Sequence, residues 1–342
     1  MRKYLNKLEN LHIGISGTSL AFITLSNTWM MKDINYLKPI SIGVAVFMLI
    51  LMVLRLILFP KVMYEELKNP VTGTFYPTMG MVLWLVSSYF YHYAPTICSI
   101  IWLGCVAYHY GILIFYTIIR VKERKFSHIM PTCFIVYTGM ITGSVASQKM
   151  TEFPLVPEIA HFMLLFGFTF YTILLPVVLY IVFKSEILDD KKLPTVGIIC
   201  SPAPLGIVGI FTIEEKPNIY MLTWLIVTGL ILLVVVYSYI WRLFKEGFKP
   251  AYASFTFPLA IATMAAYDLG KYFTGLGYNF LGHTFKVLGD VEIFIATYVI
   301  FFILLNFVNM FVKAINPKAA EELEEDEKII AGTMVSEDDP ED

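Results

Sequence analysis

Thr256, Phe257 and Pro258 are where this sequence first offers chemistry. They sit inside the apolar run from Ala251 to Leu269, AYASFTFPLAIATMAAYDL. At about 1.5 Å per residue that run is long enough to cross a hydrocarbon layer roughly 30 Å thick. Proline has no N–H, and its ring displaces the carbonyl four residues back, so the helix is predicted to bend or open between Ser254 and Pro258. In lipid a freed carbonyl is costly, and such a break is stable where protein or a water-filled cavity satisfies it. The stretch is therefore a candidate pore wall. Comparable breaks are expected at Pro77, Pro131, Pro202 and Pro204, and hydroxyls for a weakly polar lining at Thr18, Ser19, Thr78 and Thr256. Freed carbonyls favour cations and exposed N–H groups favour anions, so these residues leave the sign of a permeant ion open.

Other chemistry is sparse. Cys98, Cys105, Cys133 and Cys200 all fall in apolar segments without metal or paired extracellular spacing, and read as buried thiols. His109 and His161 have no acid at ligand spacing, which points to interhelical hydrogen bonds rather than a metal. No His/Asp/Glu cluster, carboxylate pair or Ser/His/Asp set gathers at one depth, and no nucleotide-binding motif appears, so neither an enzyme, a pump nor a bound cofactor is expected. Arg55 is expected to snorkel to the nearby interface, Asp268 to pair with Lys271, and Asn306 and Asn309 to make interhelical or intersubunit contacts.

The elements that must position these residues are membrane spans. Of 342 residues 57% are hydrophobic and 15% charged, which places the chain among all-α polytopic membrane proteins and excludes a soluble or nucleic-acid-binding reading. Ten spans are expected, at about 12–31, 39–59, 76–92, 97–119, 130–148, 160–183, 195–213, 219–241, 251–269 and 291–313. With the N-terminus inside, eighteen of the 25 lysines and arginines fall on the cytoplasmic side, six on the other, and Arg55 within the second span. That bias puts both termini in the cytoplasm. The domain reading is a cytoplasmic N-terminal segment 1–11, a transmembrane domain 12–316, and an acidic cytoplasmic tail 317–342 expected to be disordered. Eleven of the 27 acids lie in that tail; without it 23 basic residues face 16 acidic ones.

The spans alternate in character. Odd ones, counting Pro194 with the seventh, carry fourteen glycines and prolines, even ones seven, and FYPTMG, IMPTCF, LPTVGI and FTFPLA recur with prolines 54, 63 and 64 residues apart. The chain thus reads as five repeated helical hairpins. Such hairpins close into a quasi-five-fold ring if the small, bent odd helices, with Gly14, Gly17 and Gly139 among their small residues, pack around the axis and the aliphatic even helices face outward.

At this point the residues resemble a known family. Asn69, Pro70 and the following FYPT, LPTVGIICSPAP from Leu193 to Pro204, and SFTFPLAIA from Ser254 to Ala262 are similar to motifs of the tellurite-resistance and dicarboxylate transporter family, which includes bacterial tellurite-resistance protein A and the slow-type anion channels of plant guard cells. The resemblance covers three of the five hairpins, and hairpin number and size agree over about 300 residues. It implies ten helices around a central pore in each subunit, a homotrimer in the inner (plasma) membrane, conduction of anions, and Phe257 plugging the pore at mid-membrane. Leu193 stands where many members carry arginine, so any role of that charge is absent.

The expected function is a passive anion channel. A phenyl ring across a narrow pore would exclude water, and a bare ion in low dielectric faces a cost of tens of kcal/mol. Gly14 and Gly17 are candidates for the space into which the ring swings, with close helix packing as the alternative. A lining of weak dipoles cannot replace hydration, so iodide and nitrate should pass more readily than chloride. The alternative is a proton-coupled dicarboxylate carrier or an exporter of tellurite or another toxic oxyanion. Against it stands the lack of lysine, arginine, aspartate or glutamate in the middle of the odd spans.

Overall fold

The structure is a computed structural model describing residues 6–184, 188, 192–245 and 247–315. The acidic tail 317–342 and residues 1–5 of the N-terminal segment lie outside the described residues. Among the described residues every regular element is helical. The α-helices are α1 (Gly14–Met30), α2 (Leu37–Leu58), α3 (Pro60–Lys68), α4 (Pro77–Phe90), α5 (Pro95–Glu123), α6 (Cys133–Thr138), α7 (Ile141–Ala146), α8 (Val156–Phe183), α9 (Pro202–Ile213), α10 (Ile219–Lys245), α11 (Thr256–Gly275) and α12 (Asn279–Ile315).

Among the described residues six stretches are long and apolar enough to cross a membrane: α2, α5, α8, Leu193–Ile213, α10 and most of α12. The ranges expected for the other four spans hold α1, α4, α6 with α7, and α11.

Burial separates the helices into two sets. In α2 28% of the most apolar stretch is buried, whereas in Leu193–Ile213 the share is 83%. Nearly every residue of α1, α6, α7 and α9 is buried. The exposed set presents large aliphatic and aromatic side chains such as Ile57, Ile97, Ile173 and Val234, which suits lipid rather than water. Trp224 and Trp241, near the two ends of α10, are exposed where an indole favours the interface.

The buried helices pack in cyclic order: α1 on α4, α4 on α7, α7 on α9, α9 on α11, and α11 back on α1. Each also packs on the exposed helix next in sequence, α2, α5, α8, α10 and α12. Hydrogen bonds from buried indoles tie neighbours together: Trp84 Nε1 donates to the Trp102 carbonyl at 3.0 Å, and Trp102 Nε1 to that of Gly143 at 3.0 Å. His109 stacks on Trp84 and its Nε2 lies 3.0 Å from the Val136 carbonyl, an interhelical bond as expected. His161 Nδ1 lies 3.2 Å from Glu214 Oε1.

Two expectations are corrected. Arg55 does not snorkel; its side chain is 3% exposed and donates to both oxygens of Glu66, at 2.6 and 2.9 Å. The chain turns at Pro60 and α3 folds back, bringing Glu66 under the end of α2. Tyr76 Oη also donates to Glu66, at 2.6 Å, and Arg55 reaches the Glu9 carbonyl, so one buried ion pair joins four segments. Burial pushes the Glu66 carboxyl up, but bonds from Arg55 and Tyr76 and the guanidinium charge hold it below the usual carboxylate range. Asn306 donates its amide proton to the Phe302 carbonyl of its own helix rather than making an interhelical bond.

Candidate functional site

The predicted breaks are realised as a change of helix type. Three buried segments begin as 3-10 helix and continue as α-helix: Thr72–Phe75 into α4, Leu193–Cys200 into α9, and Pro250–Phe255 into α11. Pro77 and Pro202 are the first residues of their α-helices, and Pro258 lies in the first turn of α11, where a missing N–H costs nothing. Pro204 follows in the first turn of α9, and Pro131 lies just ahead of α6. The prolines thus start helices after tight turns rather than kink continuous ones. The fourth break falls at Gly139 and Met140 between α6 and α7. A β-carbon on Gly139 would lie 2.2 Å from the Ile135 carbonyl oxygen and 3.0 Å from Met81 Sδ, so this break requires glycine.

Around these breaks lies a cavity of about 20 Å³, lined from all five buried segments. Gly17 and Leu20 come from α1; Phe75, Thr78 and Met81 from the α4 segment; Phe134, Ile135, Thr138 and Gly139 from α6 and its end. Ile198, Ser201 and Leu205 come from the α9 segment, and Ala253, Ser254 and Phe257 from the α11 segment. That volume holds about one water and no hydrated ion.

Of the residues expected to line a pore, Gly17, Thr78, Gly139 and Phe257 meet in this cavity. Gly14, Thr18, Pro77, Pro131, Pro202, Pro204, Thr256 and Pro258 are not on its wall. Thr18 and Thr256 spend their hydroxyl protons on their own backbones, at the Gly14 and Ala253 carbonyls. Gly14 is a packing residue: its β-carbon would come within 3.1 Å of the Phe307 ring, and its N–H donates to His12 Nδ1. Gly17 faces Phe75, with room for a β-carbon at 3.6 Å.

Phe75, Phe134 and Ser254 line the cavity without having been singled out from the sequence. The first two bring phenyl groups to the cavity that Phe257 also lines, and Ser254 Oγ is buried without a hydrogen-bond partner among the described residues. The position of Phe75 two residues before Pro77, within the FYPT motif, was the available signal. Phe255, two residues before Phe257, is instead wedged against Gly197, where a β-carbon would sit 2.7 Å from its ring.

Outside this cavity, two further features involve ionisable groups. Asp268 and Lys271 border a broad basin at one end of α11, where the ion pair is Lys32 with Asp290 at 2.6 Å. Glu292 on α12 is 2% exposed, accepts a bond from Tyr237 Oη at 3.0 Å, and leaves Oε2 buried without a partner among the described residues.

Residues 10–311 match the family described as voltage-dependent anion channel. The chain belongs to this family. It is similar to two proteins of Methanocaldococcus jannaschii: uncharacterized transporter MJ0762, 25% identical over 272 residues, covering 71% of this chain and 78% of that one, and uncharacterized transporter MJ0576, 25% identical over 270 residues, covering 69% and 76%. A multi-pass membrane protein of a channel and transporter family accords with the apolar helices exposed on its flanks. The family range takes in every segment that reaches the cavity, from α1 to α11.

Proposed function

We propose that the protein is a passive anion channel whose route follows the axis of five helical hairpins, with Phe257 closing it. One observation carries this reading: a cavity that receives side chains from each of the five proline- or glycine-bearing segments, and that lies where those segments change helix type. In this picture α1, the α4 segment, α6 with α7, the α9 segment and the α11 segment form a quasi-five-fold inner ring of five crossings, with α2, α5, α8, α10 and α12 outside as the other five. The cyclic packing of the inner helices supports it. The channel domain is 12–316, both termini are cytoplasmic, and the subunits form homotrimers in the inner (plasma) membrane.

With room for about one water, the cavity is a closed state, since an ion stripped of water in an apolar setting is strongly disfavoured. Opening requires the Phe257 ring to move, and Gly17, where a β-carbon would meet Phe75 at 3.6 Å, borders the same cavity. Selectivity follows dehydration: the hydroxyls of Ser201 and Ser254 offer a few weak donors, and that of Thr78 already donates to the Phe75 carbonyl, so nitrate and iodide pass ahead of chloride. Efflux of nitrate, iodide and chloride from loaded proteoliposomes holding the Phe257→Ala protein tests this. Nitrate and iodide leaving faster than chloride supports the reading, and chloride leaving fastest rejects it.

A second reading, a proton-coupled carrier of dicarboxylates or of tellurite-like oxyanions, has one observation in its favour. Glu292 is an acid within a membrane helix, with Tyr237 bonded to it and Cys200 as the other titratable neighbour. Its carboxyl is absent from the cavity wall, which favours the channel.

A further inference from the structure

A different cavity, of about 410 Å³, opens at the end of α5, on the side of the chain that carries most of its lysines and arginines. Its size falls in the range of ligand pockets, roughly 300–1,000 Å³. Its floor is apolar and aromatic, made by Tyr116, Ile129, Tyr137 and Leu174. Its rim is cationic: Arg120, Arg124 and Lys125 line it, and no acid does among the described residues. Glu123, the acid beside it, is already engaged, at 3.1 Å from Arg120 Nη1 and 2.7 Å from His128 Nδ1.

Arg120 is the unusual member. Its side chain is 9% exposed, its guanidinium is fixed by Glu123 on one side and donates to the Lys68 carbonyl on the other, and it lies over the Tyr116 ring. Its Nε is nevertheless buried without an acceptor among the described residues. A buried donor left unpaired is costly, and an anionic oxygen is the strongest acceptor that could meet it. The walls say which anion. Val121 and Phe126 at the mouth are exposed, α5 and α8 are among the lipid-facing helices, and the Phe126 ring lies 6.0 Å from Tyr180 on α8. A soluble phosphate would leave that apolar surface wet, whereas a lipid covers it with its acyl chain while its phosphate meets the arginines.

We propose that this cavity is a binding site for the phosphate headgroup of an anionic membrane lipid, whose acyl chain runs along α5 and α8. It is independent of the conduction route, since the two cavities share no residue.

The test is native mass spectrometry of the full-length protein released from detergent with phosphatidylglycerol or phosphatidylcholine of the same acyl chains. The wild type is expected to retain phosphatidylglycerol on the order of tenfold more than phosphatidylcholine. Arg124→Gln with Lys125→Gln, both at exposed positions, should remove most of that preference, and Leu174→Trp, which fills the floor, should reduce retention of phosphatidylglycerol itself. Equal retention of the two lipids by the wild type, or a preference unchanged in both variants, overturns the proposal. Displacement of the lipid by millimolar inorganic phosphate assigns the site to a soluble phosphate and overturns the lipid assignment.

Discussion

Thr78 Oγ1 lies 2.6 Å from Ser16 Oγ, joining the first and third buried segments beside the cavity that Phe257 lines. Each hydroxyl also lies within 2.7 Å of a carbonyl of its own segment, Ile13 and Phe75, so two protons are shared among three contacts.

Ser254→Ala removes a cavity hydroxyl that is buried without a partner among the described residues. Loss of one hydrogen bond to a permeating ion, about 1.4 kcal/mol, predicts roughly tenfold lower anion conductance in the Phe257→Ala background. Single-channel recording checks this, and unchanged conductance would place the route elsewhere.

Gly139→Ala brings a β-carbon within 2.2 Å of the Ile135 carbonyl oxygen, backbone that cannot move aside. A loss of about 2–3 kcal/mol is expected, read as a lower unfolding temperature in detergent. Gly17→Ala, with 3.6 Å to Phe75, should leave that temperature unchanged and lower flux by filling the cavity.

The position of these breaks is legible in the sequence, because Pro77, Pro202 and Pro258 each lack a donor that only a first helical turn can spare. The inward-facing residues are less so. A 3-10 turn advances 120° per residue instead of about 100°, so Phe75 and Ser254 reach the axis from positions a continuous α-helix would aim elsewhere. Arg55 and Glu66 lie on either side of the turn at Pro60, and only the fold-back of α3 brings them together. Glu292 escaped notice because the tenth span reads from residue 291, at an interface, whereas α12 begins at Asn279 and buries the acid inside the helix.

Glu66→Gln should destabilise the fold by about 3 kcal/mol at pH 7, since the buried Arg55 guanidinium loses its counter-charge. The Glu66 carboxyl is held below its ordinary value of 4.5, so its contribution is complete above that value and is lost as pH falls through the lower folded one. Unfolding temperatures of wild type and variant should therefore converge on acidification. A constant gap from pH 7 to pH 3 would contradict the ion-pair account.

Glu292→Gln separates the two transport readings. The amide oxygen can still accept from Tyr237, but the side chain no longer carries a proton that comes and goes. In the Phe257→Ala background a passive channel predicts nitrate flux unchanged by the Glu292 substitution across pH 5 to 8 in liposomes. Proton-dependent succinate uptake by the wild type that Glu292→Gln abolishes, with no nitrate flux in the Phe257→Ala protein, would establish the carrier.

The most direct measurement is planar-bilayer recording of purified wild type beside Phe257→Ala. With the ring removed, large ohmic currents are expected, with reversal potentials placing nitrate and iodide ahead of chloride, while the wild type stays nearly silent. A Phe257→Ala protein that keeps the wild-type unfolding temperature yet passes no current would contradict the claim that this cavity lies on the conduction route.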